Sequence, residues 1–119
     1  MKKIVYPKTA ITSSLKDKFN KYQIEQIRDG LKSGVDVDLY ADPKFNYVQM
    51  EEIRLGLEAG IDAKLYSDPK FDAGQMYEIR KGLEAGIDVS LYLNPSFDYV
   101  KMKKIRQNLM RTQKWQEEM

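Results

Sequence analysis

Apolar residues recur along the chain with the spacing of an amphipathic helix. In one stretch, Met50, Ile53 and Leu57 lie at positions i, i+3 and i+7, which form one face of a 3.6-residue period. Asn46 precedes this stretch and is a favoured N-cap residue, with Gln49 three positions later as its partner in a capping box. The pattern therefore predicts a helix that starts directly after Asn46.

A second, shorter helix is predicted directly after the first. Gly60 is typical of the left-handed residue that ends a helix, and Asp62 is a good N-cap for a short helix over residues 63–67. Ile61 is spaced to pack against Tyr66 as a hydrophobic staple. The Asp-Pro pair that follows prevents the short helix from continuing, because the residue before a proline avoids the helical region.

The whole pattern repeats every 26 residues, and a phenylalanine opens each repeat. The four phenylalanines are Phe19, Phe45, Phe71 and Phe97. Neither helix of a unit can bury its apolar face alone, so successive units must stack around a shared core. The sequence predicts an all-α fold, a short α-solenoid. Its expected parts are an N-terminal cap segment (1–18) and a repeat domain (19–119) with units 19–44, 45–70, 71–96 and 97–119.

The fourth unit ends differently from the others. Thr112 stands where the earlier units have the glycine that ends the long helix. The last helix is therefore expected to run from about Asp98 toward Glu117, with a polar outer face that closes the stack. We expect Trp115 to fold back onto the array.

Several residue types occupy the same position in each unit. The apolar ones are Met50, Met76 and Met102, and Tyr40, Tyr66 and Tyr92. The methionines fall on the apolar helical face and the tyrosines at the staple position, so both sets are predicted to lie in the core. Each mid-helix glycine costs about 1 kcal/mol relative to alanine, which predicts that another backbone passes close to it. These glycines are Gly30, Gly56 and Gly82.

Charged residues also repeat in register. They are Arg28, Arg54, Arg80 and Arg106, and Asp36, Asp62 and Asp88. A row of guanidinium groups could bind phosphates or acidic side chains. The favoured interpretation is structural, with each aspartate as an N-cap and each arginine bonded to a neighbouring carboxylate or helix end, because stacking requires identical residues in each unit.

Composition excludes most catalytic chemistry. The 119 residues, enough for one domain, include no cysteine and no histidine. Thiolate metal sites, disulfides and the commonest general base are therefore absent. The acidic residues lie at caps or on solvated helix faces, and no glycine loop could hold a phosphate. We expect a non-catalytic protein without cofactor or metal. Without a signal peptide or a membrane-spanning segment, it is expected in the cytoplasm.

The repeated phrases resemble a known tandem helical repeat. The relevant segments are QMEEIRLGLEAGID with LYSDPKFD, and QMYEIRKGLEAGIDVSLY. They are similar to a repeat in phage and mobile-element proteins of anaerobic gut bacteria, and the resemblance covers residues 19–111. It implies an accessory module that binds proteins. Lys101 in place of glutamine and Asn108 in place of glycine set the fourth unit apart from the repeat pattern.

Some positions are polar in most units but apolar in one, which predicts that they face water. Leu55 replaces a charged or amide residue, Tyr77 replaces Glu or Lys, and Leu93 replaces Ala or Ser. Leu55 and Tyr77 should lie on one side of adjacent helices, with Lys81 at the rim. Tyr47 and Tyr99, at the first helical position of their units, are further candidates. Such a patch resembles the apolar centre of a protein interface.

These features favour a non-catalytic protein-protein interaction module. The mobile-element resemblance implies an inhibitor or adaptor that acts on a host protein, including a defence nuclease such as a CRISPR effector, by steric blocking. The alternative is nucleic-acid binding through the basic terminal segments, since lysine and arginine concentrate at both ends around an acidic middle. A third possibility is that the apolar patch forms a symmetric homodimer.

Overall fold

The computed structural model describes residues 15–118. Within this range the chain forms four α-helices and three short 3-10 helices and contains no strand, which confirms the all-α prediction for these residues. The α-helices are α1 (Lys21–Ser33), α2 (Tyr47–Glu58), α3 (Ala73–Glu84) and α4 (Tyr99–Glu118), and the 3-10 helices are η1 (Val37–Leu39), η2 (Ala63–Leu65) and η3 (Val89–Leu91). Of the predicted cap segment, residues 15–18 form a turn and residues 1–14 lie outside the described residues.

Local capping signals determine where the long helices begin and end. Asn46 accepts a hydrogen bond from the backbone N–H of Gln49, and the Gln49 side chain accepts one from the Asn46 N–H, so the predicted capping box is present. The same box precedes α1 and α3. Gly60 ends α2 with φ of 74°, in the left-handed region, as predicted. The long final helix is also confirmed, but Trp115 is 62% exposed, so its predicted return onto the array is wrong.

The 3-10 helices are shorter than predicted and use fewer side-chain caps. The helix after Asp62 covers Ala63–Leu65 only, and the Asp62 side chain makes no capping bond. This turn is closed instead by backbone bonds, including one from the Leu65 N–H to the Asp62 carbonyl at 3.2 Å. Side-chain caps form at the two equivalent aspartates, as predicted. These bonds run from the Asp38 N–H to Asp36 and from the Ser90 N–H to Asp88.

A tyrosine from each 3-10 segment inserts beneath the preceding long helix. Tyr66 is fully buried, and its hydroxyl donates to the carbonyl of Glu52 at 2.7 Å. A methyl group added at Gly56 would overlap this hydroxyl. The mid-helix glycine therefore makes room for a tyrosine side chain and not for the second backbone that its repetition predicts. The same arrangement joins Tyr40 with Gly30 and Tyr92 with Gly82.

Hydrogen bonds between neighbouring long helices show that these helices run parallel to each other. Near the N-terminus of α2, Gln49 Nε2 donates to the carbonyl of Phe71, just before α3, at 2.7 Å. Near the C-termini of α1 and α2, Ser33 Oγ donates to Glu58 at 2.8 Å. Since starts lie beside starts and ends beside ends, the helices run in one direction. Equivalent glutamine bonds are Gln23 to Phe45 at 2.7 Å and Gln75 to Phe97 at 2.6 Å.

Arginines connect each long helix to the one before it. Arg80 Nε donates to the Glu52 carboxylate at 2.8 Å, and its Nη1 donates to Glu84. Burial opposes the charge of Arg80, but its bonds to both carboxylates raise the pKa of the guanidinium. The equivalent bonds are Arg54 Nε to Gln26 at 3.0 Å and Arg106 Nε to Glu78 at 2.7 Å. The structural interpretation of these three arginines is confirmed.

The core follows the long axis of an elongated molecule measuring 56 × 29 × 18 Å. The three repeated methionines have no exposed surface, which confirms their predicted place in this core. Phenylalanines that precede α2 and α3 and isoleucines at mid-helix complete each layer. Every buried side-chain nitrogen or oxygen among the described residues has a hydrogen-bond partner. The interior is therefore mainly apolar, and its buried polar side chains, such as Gln49 and Glu78, are hydrogen-bonded within the fold.

Candidate functional site

Exposed tyrosines and valines cluster in the first two turns of the long helices. We call them the tyrosine band. It consists of Tyr22, Tyr47, Val48, Tyr77, Tyr99 and Val100, whose exposed fractions lie between 38% and 52%. Because the helices are parallel, their N-terminal turns lie along one edge of the molecule. The band therefore crosses all four helices instead of following one of them.

One aromatic pair joins α1 and α2 in this band. The ring centroids of Tyr22 and Tyr47 are 5.3 Å apart, with an angle of 36° between the ring planes. Lys21 Nζ lies 5.0 Å from the Tyr22 centroid, at the distance of a cation–π contact. Packing between the two rings restricts their rotation, so this end of the band presents an ordered aromatic surface.

A second group joins α3 and α4 in a different way. Gly74 has no side chain, and a methyl group added there would lie 3.3 Å from both Cβ and Cδ1 of Tyr99. The Tyr99 ring therefore packs directly on the backbone of α3. Tyr77 lies one turn further along α3, and the side chains of Arg80 and Lys81 lie 5.4 Å and 5.8 Å from its ring centroid. This group carries both apolar surface and positive charge.

The structure separates the predicted site residues into two classes. Tyr47, Tyr77 and Tyr99 are exposed and belong to the band, and Lys81 lies beside Tyr77. Leu93 does not face water, because its side chain packs against the core. The reason is that the segment after the 3-10 helix lies over the neighbouring unit, so a small polar residue at this position in other units does not indicate solvent.

Leu55 is also less accessible than its substitution pattern predicts. Its side chain is half-buried on α2, and the charged residues at the equivalent positions of α1 and α3 are half-buried as well. Sequence reasoning also missed Tyr22, Val48 and Val100, which are exposed. A usable signal exists for them, since the equivalent position in the third unit is Gly74. A position that holds tyrosine, valine and glycine in different units is not constrained by core volume.

Other site chemistry is lacking in the range 15–118. No group of three or more acidic residues there could hold a metal ion. None of the helices in that range combines the length and the apolar character that crossing a bilayer requires. An open, shallow depression lies between the end of α3 and α4, where Ala85, Met110 and Arg111 contribute to its lining. It has the form of a surface groove, not of an enclosed catalytic pocket.

No protein-family model matches the chain, and no curated protein or solved structure matches it. The arrangement of exposed side chains is therefore the basis for inferring a function. The tyrosine band contains six of the ten large apolar side chains that are exposed among the described residues, and two of them, Tyr22 and Tyr47, pack on each other. It is accordingly the candidate functional site.

Proposed function

We propose that this protein is a short α-solenoid of three 26-residue units and a shorter fourth unit, and that it binds another protein through the tyrosine band. The observation that carries this proposal is the alignment of four exposed tyrosines along one edge of parallel helices. Tyrosine is enriched at protein interfaces because it offers a large contact area and a hydroxyl group at a low entropic cost.

Order within the band supports binding to a structured partner. Tyr22 and Tyr47 pack on each other, and Tyr99 packs on the α3 backbone at Gly74. Side chains that already hold their positions lose less conformational entropy on association. Between the two aromatic groups, the equivalent positions hold the smaller Val48 and Ala73. The surface in the middle of the band is therefore recessed relative to the tyrosines on either side, and it suits a convex or protruding element of the partner.

A host protein is the partner class that the mobile-element resemblance favours. Binding of a rigid array across a functional surface would inhibit that protein by steric blocking, and a defence nuclease such as a CRISPR effector is one such target. Lys21 and Lys81 lie at the two aromatic groups, so an acidic rim on the partner would complement the band. Catalysis by this chain is not part of the proposal.

The test begins with affinity capture from the host and continues with the purified partner. Kd is measured by calorimetry for the parent chain and for the double variant Tyr47→Glu/Tyr99→Glu. We expect Kd to rise by at least roughly 100-fold, because two interface tyrosines are replaced by charges that the complex would bury. Circular dichroism checks that the variant keeps its helices.

Leu91→Glu is the matched control. Leu91 is 60% exposed but lies in η3, outside the band. This variant should change Kd by less than about threefold, as expected for a residue outside the interface. Equal loss of affinity in both variants, or none in either, would show that the partner binds elsewhere.

A further inference from the structure

One side of α4 is exposed, whereas the following unit covers the equivalent side of α1, α2 and α3. In units one to three, a glutamine and a residue three positions later bond to the following unit. The corresponding residues of α4 are Lys101 and Lys104, and Asn108 stands at the position of the mid-helix glycine. With Arg111 one turn further on, they form what we call the end face. All four residues are exposed.

The end face contains apolar core surface that internal units bury. Ile53 and Ile79 have no exposed area, whereas the equivalent Ile105 is partly exposed. Phe97 is also partly exposed, while Phe45 and Phe71 are buried. Among the described residues, no unit comes after α4 to cover this surface. A partner that covers Phe97 and Ile105 would gain the hydrophobic free energy that a following unit supplies at the internal junctions.

The charge of the end face is the reverse of that at the internal junctions. Glu52 and Glu78 accept a bond from the arginine of the next unit, but the equivalent residue in α4 is Lys104. Lys101 Nζ lies 3.9 Å from the Phe97 ring centroid. Arg111 Nη2 donates to Asn108 Oδ1 at 3.0 Å, which orients the guanidinium along the helix. An arginine-bearing helix would therefore be repelled here, and an acidic one attracted.

Symmetric pairing of two end faces is disfavoured by their charge. It would bring the lysines and Arg111 of one copy against those of the other, and like charges placed together in an interface oppose association. The charge of the end face therefore favours an occupant that carries negative charge.

We propose that the end face binds an amphipathic helix of a partner protein that carries Glu or Asp where the repeat units carry arginine. Its carboxylate pairs with Lys104, and its apolar side covers Phe97 and Ile105. A nucleic-acid backbone would satisfy the lysines but would leave these two apolar side chains uncovered. The end face adjoins the tyrosine band at Val100, whose equivalents Tyr22 and Gly74 contact the following unit. This proposal does not depend on the function proposed for the band.

Two synthetic peptides with the sequence of residues 71–96 serve as probes, one unaltered and one with Arg80→Glu. Both contain the apolar pattern that packs on a preceding unit, and they differ in the charge that would meet Lys104. Fluorescence anisotropy measures their binding to the full chain. We expect the Glu peptide to bind at least ~10-fold more tightly, which corresponds to one favourable charge pair in place of a repulsive one.

Charge reversal on the protein completes the test. In the Lys104→Glu variant the unaltered peptide should bind more tightly than the Glu peptide. In the control variant Lys70→Glu the Glu peptide should still bind more tightly. Tyr22→Glu/Tyr47→Glu, in the band but far from α4, should also leave peptide binding unchanged. The proposal is overturned by equal affinities of the two peptides, by no binding of either, or by an unchanged order in Lys104→Glu. Tighter binding of a 20-nucleotide DNA that depends on Lys104 would overturn it in favour of nucleic acid.

Discussion

The first three units and the fourth unit form equally regular helices, but they differ in the residues that, in the first three units, contact a segment later in the chain. Gly56, Gln49 and Glu52 each bond to, or make room for, a segment that comes later in the chain. The equivalent residues of α4 are Asn108, Lys101 and Lys104, and the described residues contain no unit after α4. The comparison shows that the glycine and the glutamate serve contacts between segments, whereas Gln49 serves both such a contact and the capping box of its own helix.

The buried tyrosines should produce the largest effect, which is a loss of stability at high pH. Burial raises the pKa of Tyr40, Tyr66 and Tyr92 above the ordinary value of about 10. Above pH 10 the unfolded chain releases these protons and the folded chain keeps them, so stability is full below pH 10 and falls as pH rises. Three such groups predict a loss of about 4 kcal/mol by pH 11.

Urea unfolding at pH 8, 10 and 11 measures this loss. The fourth unit contains no equivalent tyrosine, so the effect belongs to the internal units. Tyr66→Phe removes one titrating group and should reduce the loss between pH 10 and 11 by about one third. An unchanged loss in this variant would mean that other groups, such as lysines, cause the alkaline unfolding.

Substitution of the mid-helix glycine should also lower stability substantially. In Gly56→Ala the added methyl group competes with the Tyr66 hydroxyl for the same space. The free energy of unfolding should fall by about 2 kcal/mol, because overpacking and the loss of a buried hydrogen bond exceed the gain in helix propensity. Chemical denaturation measures the change. Tyr66→Phe added to Gly56→Ala should recover part of the loss, since the hydroxyl is then absent.

Asn108→Ala is the matched change in the fourth unit. The fourth unit has Glu118 where the earlier units have the buried tyrosine, and alanine favours the helix, so stability should rise by a few tenths of a kcal/mol, roughly the difference in helix propensity. A comparable destabilisation by Asn108→Ala and Gly56→Ala would contradict the assignment of the glycine to the tyrosine contact.

The glutamine that links two units should have an intermediate effect. Gln49→Ala removes the bond to the Phe71 carbonyl and one half of the capping box at Asn46. The expected loss is about 1.5 kcal/mol, since a buried carbonyl is left without its donor. Lys101→Ala, at the equivalent position of α4, should change thermal stability by less than about 0.5 kcal/mol, as is usual for exposed residues. Equal losses in the two variants would contradict the role of Gln49 in linking the units.

The smallest effect on stability is expected for a substitution that reproduces a contact already present elsewhere in the molecule. Arg106 bonds to the carboxylate of Glu78, but at the first junction Arg54 bonds to the amide of Gln26. Glu78→Gln gives the third junction the arginine–amide pair that is present at the first, so Arg106 keeps an acceptor. We expect a loss below about 1 kcal/mol, while Glu78→Ala should lose about 3 kcal/mol because Arg106 is then left unpaired. Differential scanning calorimetry of the two variants distinguishes these outcomes.

Much of the fold could be predicted because its signals are local. Asn46, Gln49 and Gly60 act on backbone groups within four residues, so the start and end of α2 follow from the chemistry of a short segment. The predicted site was less accurate. Tyr47, Tyr77 and Tyr99 are exposed as expected, but Leu93 packs on the core and Trp115 points into solvent. The exposure of a side chain depends on which distant segments pack over it, and the sequence around that residue does not contain this information.

Cap chemistry and the 26-residue period thus establish the helices, their order and the equivalence of the units without any coordinates. Packing alone decides which distant residues meet. Gly56 receives a tyrosine hydroxyl, Gln49 reaches a carbonyl 22 residues away, and Tyr99 lies on the backbone at Gly74. The physical reason is distance: caps and periodicity act within one or two helical turns, whereas these contacts depend on how closely and at what angle neighbouring units approach each other.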